Sequence, residues 1–347
     1  MHCSIIPPYL LRRVAAQGAP KFSTAARAAK EALQHAKSVQ TARTLPPPYP
    51  PPAVRQVKPG PPRRTIYDAA GSESLRGRLV RQEGESPTGD VAADEAYDGL
   101  GHTHRLYADV FGRNSIDGQG LPLNATVHFG NLYDNAFWDG SQMVFGDGDG
   151  EIFRRFTLSL SVIGHELTHG VTQHSAGLAY RNQAGAINES LSDVFGVLVE
   201  QFVKQETAAE ASWLIGEGLF TDQVGGSALR SMKAPGTAYD DDVLGKDPQP
   251  DSMDGYVKTS ADNGGVHINS GIPNRAFHLV ASTLGGYAWD TPGRIWYDAL
   301  TGGSLKANAT FRAFAKTTAA SAEELFGNGS QEHDAVKMAW ETVKVKL

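Results

Sequence analysis

Residues 161–173 read SVIGHELTHGVTQ, and the reading of this stretch decides the fold. His165 and His169 stand four apart, so on a helix their imidazoles share one face and can reach one metal ion. Glu166 is offset by one residue, which puts its carboxylate beside that point without a need to ligate. Such a carboxylate can take a proton from water activated by the metal. Val162, Ile163, Leu167 and Val171 supply an apolar side for packing. Taken alone, the HExxH pattern also fits two partly buried histidines on an amphipathic helix.

A hydrolytic zinc site needs a third protein ligand and an open position. Glu189 stands twenty residues past His169, in the segment AINESLSDVFGVLVEQF (186–202), where Ile187, Leu191, Val194, Leu198 and Phe202 are at helical spacing. Glu189 and Asp193 lie four apart on another face. Glu189 can close a two-histidine, one-carboxylate set, and Asp193 can accept from the second nitrogen of a ligand histidine; the plainer alternative is a solvated acidic face. Further on, ADNGGVHINSGIPNRAF (261–277) sets Asp262 before His267 across a Gly-Gly turn. A carboxylate there can hold an imidazole upright to donate to a developing oxyanion, or the segment is a turn with an exposed histidine.

The rest of the chain frames this centre. Its 347 residues allow two domains on a prior of ~150 residues each. The 32 basic and 38 acidic side chains leave a net charge of −6, which gives no reason to expect nucleic acid or an anionic membrane as partner. Cys3 is the one cysteine, so an intrachain disulfide and a multi-cysteine zinc site are excluded. No apolar run approaches the ~18 residues that span a bilayer. The N-terminus, MHCSIIPPYLLRRVAA, places its apolar residues before Arg12 and Arg13 and interrupts them with Pro7 and Pro8, unlike a secretory signal.

Residues 21–40 are Ala- and Lys-rich and predict an exposed helix. The following TLPPPYPPPAVRQVKPGPPRR (44–64) favours extended polyproline. These stretches read as a disordered tail and linker, or as a prosegment with a cleavable hinge. Residues 65–82 and the segments ATVHFG, DNAFWDG and SQMVFGDGDG read as strands and turns, with a helix over 89–111 between them. From Phe156 helical periods dominate, interrupted by a Gly/Asp/Pro-rich loop region over 221–265. GDGDGE (146–151) reads as a turn, since it lacks the spacing of a calcium loop.

Together, GHELTHGVTQHSAGLAYRNQAGAINESLSDVFG, NAFWDGSQMVFGDGDG and DNGGVHINSGIPN resemble, in order, the signature segments of the thermolysin family of zinc metalloendopeptidases. The resemblance runs from about residue 65 to the C-terminus, and CSIIPPYLLRRVA looks like the short prosegment of the protealysin-like members. It implies an α+β, two-domain zincin: a β-rich N-terminal domain and a mainly α-helical C-terminal domain with the active site in the cleft between them. The expected boundaries are 1–62 for prosegment and linker, 63–176 for the N-terminal domain including the HExxH helix, and 177–347 for the C-terminal domain.

The resemblance also assigns roles. His165, His169 and Glu189 would bind one Zn²⁺, with Glu166 as general base and Asp193 behind a ligand histidine. His267 and Tyr180 would stabilise the oxyanion, with Asp262 orienting His267. Asn135, the Ala136 carbonyl and Arg230 would hold substrate backbone. Phe153, Phe156, Val162, Ile215 and Leu229 match the pocket on the leaving-group side, implying cleavage before bulky hydrophobic residues; simple core positions are the alternative. Glu200 and Glu217 match calcium ligands, but Ser161, Ser212 and Leu214 stand at the other matching positions, so at most one weak Ca²⁺ is expected in place of a pair.

A Cys3 thiolate on the zinc of the precursor is one reading of that residue, and an incidental cysteine the other. The expected partners are protein and peptide substrates and the chain's own prosegment as intramolecular inhibitor, removed autocatalytically, on a monomer. The resemblance implies an extracellular enzyme; the missing signal leaves a cytoplasmic or non-classically exported protein as alternatives. An aminopeptidase, a pseudoprotease and a structural zinc protein are the rival classes. They would need, in turn, an acidic group for the substrate amine, a lost ligand or base, and a fourth protein ligand.

Overall fold

The computed structural model describes residues 3–18, 20–42 and 57–347, with the side chains of Cys3 and residues 36–42 outside that description. Residues 44–56 of the Pro-rich tract and the Cys3 thiol therefore lie outside the described residues.

The N-terminal part is built on a six-stranded sheet. Its strands are β1 (Cys3–Ser4), β2 (Arg64–Asp68), β3 (Arg78–Gln82), β4 (Leu123–Val127), β5 (Ala136–Trp138) and β6 (Met143–Phe145). Their order across the sheet is β1-β5-β6-β4-β2-β3. The β2–β4 and β4–β6 pairs are parallel and the others antiparallel. Between β1 and β2 run helices α1 (Pro8–Gln17) and α2 (Ser23–Ala42), and α3 (Val91–Asp109) follows β3.

Asp90 caps α3, accepting from the Ala92 and Ala93 amides. The turn read at GDGDGE is an Asp turn: Asp149 Oδ1 accepts from the Glu151 and Ile152 amides, both at 2.6 Å.

Helix α2 corrects the expectation of an exposed helix. Phe22, Ala25, Ala26, Ala28, Ala29 and Ala32 are all buried, and His35 packs edge-on to Phe129 and Tyr133. Alanine methyls on one face allow close docking, and the Ala25 amide donates to Glu151 at 3.0 Å. In α1, Leu10, Leu11 and Val14 are likewise buried. The buried faces of α1 and α2 thus join the hydrophobic core.

Helix α4 (Leu160–Gln173) carries the HExxH motif, and α5 (Asn182–Lys204) follows it. The expected amphipathic helix is buried on every side from Ser161 to Thr172. Beyond α5 come the short pairs β7 (Leu214–Ile215) with β8 (Arg230–Ser231), and β9 (Asp240–Asp241) with β10 (Gly245–Lys246). These short strands interrupt the expected loop region. Five helices finish the chain: α6 (Asp262–Asn269), α7 (Gly271–Leu284), α8 (Thr291–Thr301), α9 (Phe311–Phe326) and α10 (Gln331–Thr342). The β-rich first part and helical second part agree with the expected α+β class.

His128 ties the N-terminal part together. Its ring meets Asp147 and the Asp90 cap, each at 2.9 Å. Burial disfavours its charged form, but the two carboxylates outweigh this and raise its pKa above the usual value. A raised folded pKa contributes stability fully present below the unfolded value and lost as pH rises through the folded one. His128→Gln should therefore lower the unfolding free energy at pH 5.5 by ~0.5–1 kcal/mol, discounted for exposure. By pH 9 that difference should shrink, which thermal unfolding followed by circular dichroism at the two pH values would show.

Candidate active site

Helices α4 and α5 cross at two glycines. A Cβ on Gly164 would lie 3.0 Å from Gly196 Cα, and one on Gly196 would lie 2.4 Å from the Ser161 carbonyl oxygen. Only glycine allows this approach, and it brings Glu189 of α5 to the histidines of α4. His165 Nε2 and His169 Nε2 are 3.1 Å apart, with Glu189 oxygens 3.6 and 3.3 Å from them.

The other ring nitrogens show which tautomers are present. His165 Nδ1 donates to Asp193 at 2.8 Å, and His169 Nδ1 donates to Asn188 Oδ1 at 2.9 Å, with the Ser192 hydroxyl at 3.0 Å. Both Nε2 atoms therefore present lone pairs to each other and to a carboxylate. Three electron-pair donors converging in a buried space are satisfied by a cation, and ligands ~2.1 Å from a tetrahedral zinc sit ~3.4 Å apart. Among the described residues, His165, His169 and Glu189 form the one cluster that could hold a metal ion.

Behind this triad lies a buried ion pair. Arg230 donates twice to Asp193, at 2.8 and 2.9 Å, and Asn274 donates to it at 2.9 Å. Burial alone would raise the Asp193 pKa, but the guanidinium and His165 hold it down at about 2. Asp193 thus remains charged behind the ligand histidine.

Glu166 also points into the site. One carboxylate oxygen accepts from the Trp138 amide at 2.9 Å, and the other has no hydrogen-bond partner among the described residues. Burial pushes this carboxyl up to about 8.

His267 approaches from the opposite wall. Asp262, Asn263, Gly264 and Gly265 all have positive φ, and this left-handed run folds Asp262 back onto His267. The aspartate accepts from His267 Nδ1 at 2.6 Å and from the His267 amide at 2.9 Å. The Tyr180 hydroxyl lies 3.1 Å from His267 Nε2 and also bonds Glu189. Burial opposes charging of His267, but Asp262 and Glu189 overcome it and raise its pKa. An imidazolium there donates from both nitrogens.

Residues 3–6 of the chain itself lie in the cleft. Strand β1 pairs antiparallel with β5, Ser4 opposite Phe137 and Cys3 opposite Trp138. The Ile5 amide donates to the Ala136 carbonyl at 3.2 Å, and the Ile5 carbonyl accepts from Arg230 at 3.2 Å. The Ile6 amide donates to Asn135 Oδ1 at 3.0 Å, and the Ser4 carbonyl faces His267 Nε2 at 3.1 Å. Asn135, Ala136 and Arg230 thus all hold peptide backbone.

Of the other expected positions, Phe153, Phe156, Val162, Ile215 and Leu229 are all buried, and Phe153 and Phe156 lie 6.0 Å apart. Glu200 accepts from Lys204 at 2.6 Å, so the cation beside it is the chain's own ammonium, whose charge also interacts with Glu217. Sequence reasoning missed Asn188, Ser192 and Asn274. The first two stand four apart on α5, a helical pairing beside that of Glu189 and Asp193, and were open to the same argument. Asn274 carried no such signal.

Comparison with known proteins places this geometry. The chain matches the family model described as the thermolysin metallopeptidase catalytic domain over residues 61–173 and that of its alpha-helical domain over 176–345. It is 50% identical over 346 residues to an extracellular metalloprotease of Pectobacterium carotovorum subsp. carotovorum, covering 99% of this chain and 97% of that one. To thermolysin of Alicyclobacillus acidocaldarius subsp. acidocaldarius it is 41% identical over 263 residues, 74% of this chain and 46% of the relative. Among solved structures, the precursor of protealysin, a metalloproteinase from Serratia proteamaculans, is similar with a TM-score of 0.90 and 52% identity. That match covers 99% of this chain and 100% of the other.

The glycine crossing offers a direct test. Gly196→Ala forces its methyl against the Ser161 carbonyl and, at 2.9 Å, the His165 amide. Overpacking of this kind costs ~1–3 kcal/mol. Because the shift also moves His165 away from Glu189, zinc affinity should fall ~10-fold or more. Competition with a chromophoric chelator would measure it, and unchanged affinity would mean that the crossing does not set the triad.

Proposed function

The chain belongs to the thermolysin family of zinc metalloendopeptidases, and from that premise we propose that it cleaves peptides before bulky hydrophobic residues and removes its own prosegment. Residues 1–62 are the prosegment and linker, 63–176 the N-terminal catalytic domain, and 177–347 the C-terminal one. The single observation that carries this reading is the peptide already in the cleft: an extended strand whose Ser4 carbonyl points at His267 while a carboxylate, Glu166, stands nearby with a free oxygen. The strand continues through Cys3 on the other side of that carbonyl, the posture of an endopeptidase substrate.

His165, His169 and Glu189 would hold the zinc; Asp193 and Asn188 fix the outer nitrogens of the two histidines, and the Tyr180 hydroxyl donates to the Glu189 oxygen that faces His169. When bound, zinc supplies a Lewis acid that polarises the peptide carbonyl and makes water acidic enough to act as nucleophile. Glu166, anchored by the Trp138 amide, takes the proton from the attacking water and passes it to the leaving amine. His267 and Tyr180 donate to the carbonyl oxygen as it gains charge, and Asp262 keeps the imidazole upright. Asn135, the Ala136 carbonyl and Arg230 grip the backbone on the leaving-group side.

The apolar set Phe153, Phe156, Val162, Ile215 and Leu229 forms the pocket for the residue after the cut, and Phe156 narrows it. The prosegment, in the same cleft, is the intramolecular inhibitor. The mature enzyme is a monomer acting on proteins outside the cell, in keeping with relatives named extracellular. It engages neither nucleic acid nor membrane; no helix among the described residues is long and apolar enough to cross one. One zinc suffices, and at most one weak calcium binds near Glu200 and Glu217, where Lys204 already neutralises charge.

In matured enzyme, Glu166→Gln should abolish peptide hydrolysis while keeping one zinc. His267→Gln should cost ~10²–10³ in kcat, with KM little changed. Reporter peptides with Leu, Phe or Ile after the cut should be turned over ~10–100-fold faster than those with Gly, by the value of a filled apolar pocket. A flat preference would remove the pocket assignment. Chelation should end activity, and zinc should restore it where calcium does not.

A further inference from the structure

We propose that the Ser4–Ile5 peptide bond is a self-processing site, cut in cis as soon as the metal is bound and separately from removal of the prosegment at the Pro-rich hinge. The proposal rests on the peptidase reading above and adds to it a defined bond.

The register follows from backbone groups. On the C-terminal side of that bond, the Ile5 amide donates to the Ala136 carbonyl and the Ile5 carbonyl accepts from Arg230, both at 3.2 Å. The next residue is held at both ends by one side chain: Asn135 Oδ1 accepts from the Ile6 amide at 3.0 Å, and Asn135 Nδ2 donates to the Ile6 carbonyl at 3.4 Å. With these groups paired, the carbonyl that faces His267 Nε2 is that of Ser4, and the Tyr180 hydroxyl lies 3.1 Å from the same nitrogen. The strand residue opposite Cys3 is Trp138, whose amide anchors Glu166. Acid-base group, oxyanion donors and leaving-side clamps therefore converge on a single peptide bond.

Slippage is blocked from downstream. Shifting an extended strand by one residue turns every side chain to the other face, and Ile5 and Ile6 are both fully buried. Pro7 and Pro8 follow at once, with φ restricted by their rings. The Pro7 carbonyl accepts from the Leu10 and Leu11 amides, so the strand runs directly into α1. Helix α1 is pinned in turn by buried Leu10, Leu11 and Val14 and by Arg13, which donates to the Asp242 carbonyl at 3.2 Å. A strand anchored this close to the site cannot offer Cys3–Ser4 or Ile5–Ile6 in place of Ser4–Ile5.

The step is a hydrolysis and balances with one water. The Ser4 C–Ile5 N bond breaks, the water oxygen stays on Ser4 as a new carboxylate, and Glu166 carries a proton to the Ile5 nitrogen. No oxidant or further reactant is required. After the cut, residues 1–4 lose their covalent link, while Ile5 onward keeps its clamps and the buried face of α1. This trimming is therefore distinct from loss of the whole prosegment.

The full chain is purified with chelator and then given zinc, and its intact mass and N-terminal sequence are followed. The expected result is release of residues 1–4 and a new N-terminus at Ile5, at a rate unchanged over a hundredfold range of chain concentration and absent in Glu166→Gln. A readout free of turnover accompanies it. In zinc-loaded Glu166→Gln, the Ile5 and Ile6 amide hydrogens should exchange at least tenfold more slowly than in a peptide of residues 1–10. A prosegment that still carries residues 1–4 after removal by an enzyme active on a reporter peptide would overturn the proposal. So would a first cut at another bond within residues 1–8, or unprotected Ile5 and Ile6 amides. A matured chain inert toward the reporter peptide would overturn the peptidase reading and this proposal with it, and the exchange data would then show separately whether the register was right.

Discussion

Everything in this site depends on two helices passing within glycine distance of each other. Two ligands four residues apart on one helix can meet one ion through local geometry alone. The third comes from α5, and its carboxylate reaches them only because Gly164 and Gly196 remove the side chains that would hold the axes apart. Gly170 has the same role toward the sheet, where a Cβ would lie 2.5 Å from Ile116 and 3.1 Å from Trp138. The helix that carries the chemistry is thereby fixed on both sides, and Trp138 is brought close enough to hold Glu166 by its backbone amide.

Such packing places several charges where water cannot reach them, and each is answered. Asp193 is shared between a ligand histidine and Arg230, and Arg230 extends the same charge to a peptide carbonyl in the cleft. A buried pair of this kind adds little net stability, but leaving either partner alone is expensive. The network therefore couples the orientation of the ligand to the grip on the peptide. On the other wall, His267 and Asp262 form a similar closed pair, made possible by a backbone run that only glycine and a few short polar residues tolerate. The two pairs aim their remaining donors at neighbouring carbonyls of the strand, Arg230 at that of Ile5 and His267 at that of Ser4.

The N-terminal segment adds a strand to the exposed edge of β5 and so uses a mode of recognition in which main-chain bonds supply affinity and pockets supply choice. What turns this loose mode into one register is the helix that follows. Two prolines pass the chain from strand to α1 without slack, and alanine-faced α2 seals the segment to the sheet. The proposed inhibition and the substrate posture are then two aspects of one docking geometry.

The sequence by itself determined the ligand types, their helical spacing, and the split into a β-rich part and a helical part. These are properties of local periodicity, in which residues four apart share a helix face whatever else the chain does. It also marked the Asp262–His267 turn, since consecutive glycines predict left-handed backbone. It marked α2 as a helix but read it as exposed, because small alanine side chains carry little hydrophobic signal until a surface is placed against them. It was silent on the glycine crossing, on Asn274 behind Asp193, and on which carbonyl meets His267. Those contacts join residues as far apart as Ser4 and His267, separated by 263 positions. Only the tertiary structure decides them, because they follow from how closely packed elements can approach and no local pattern encodes that distance.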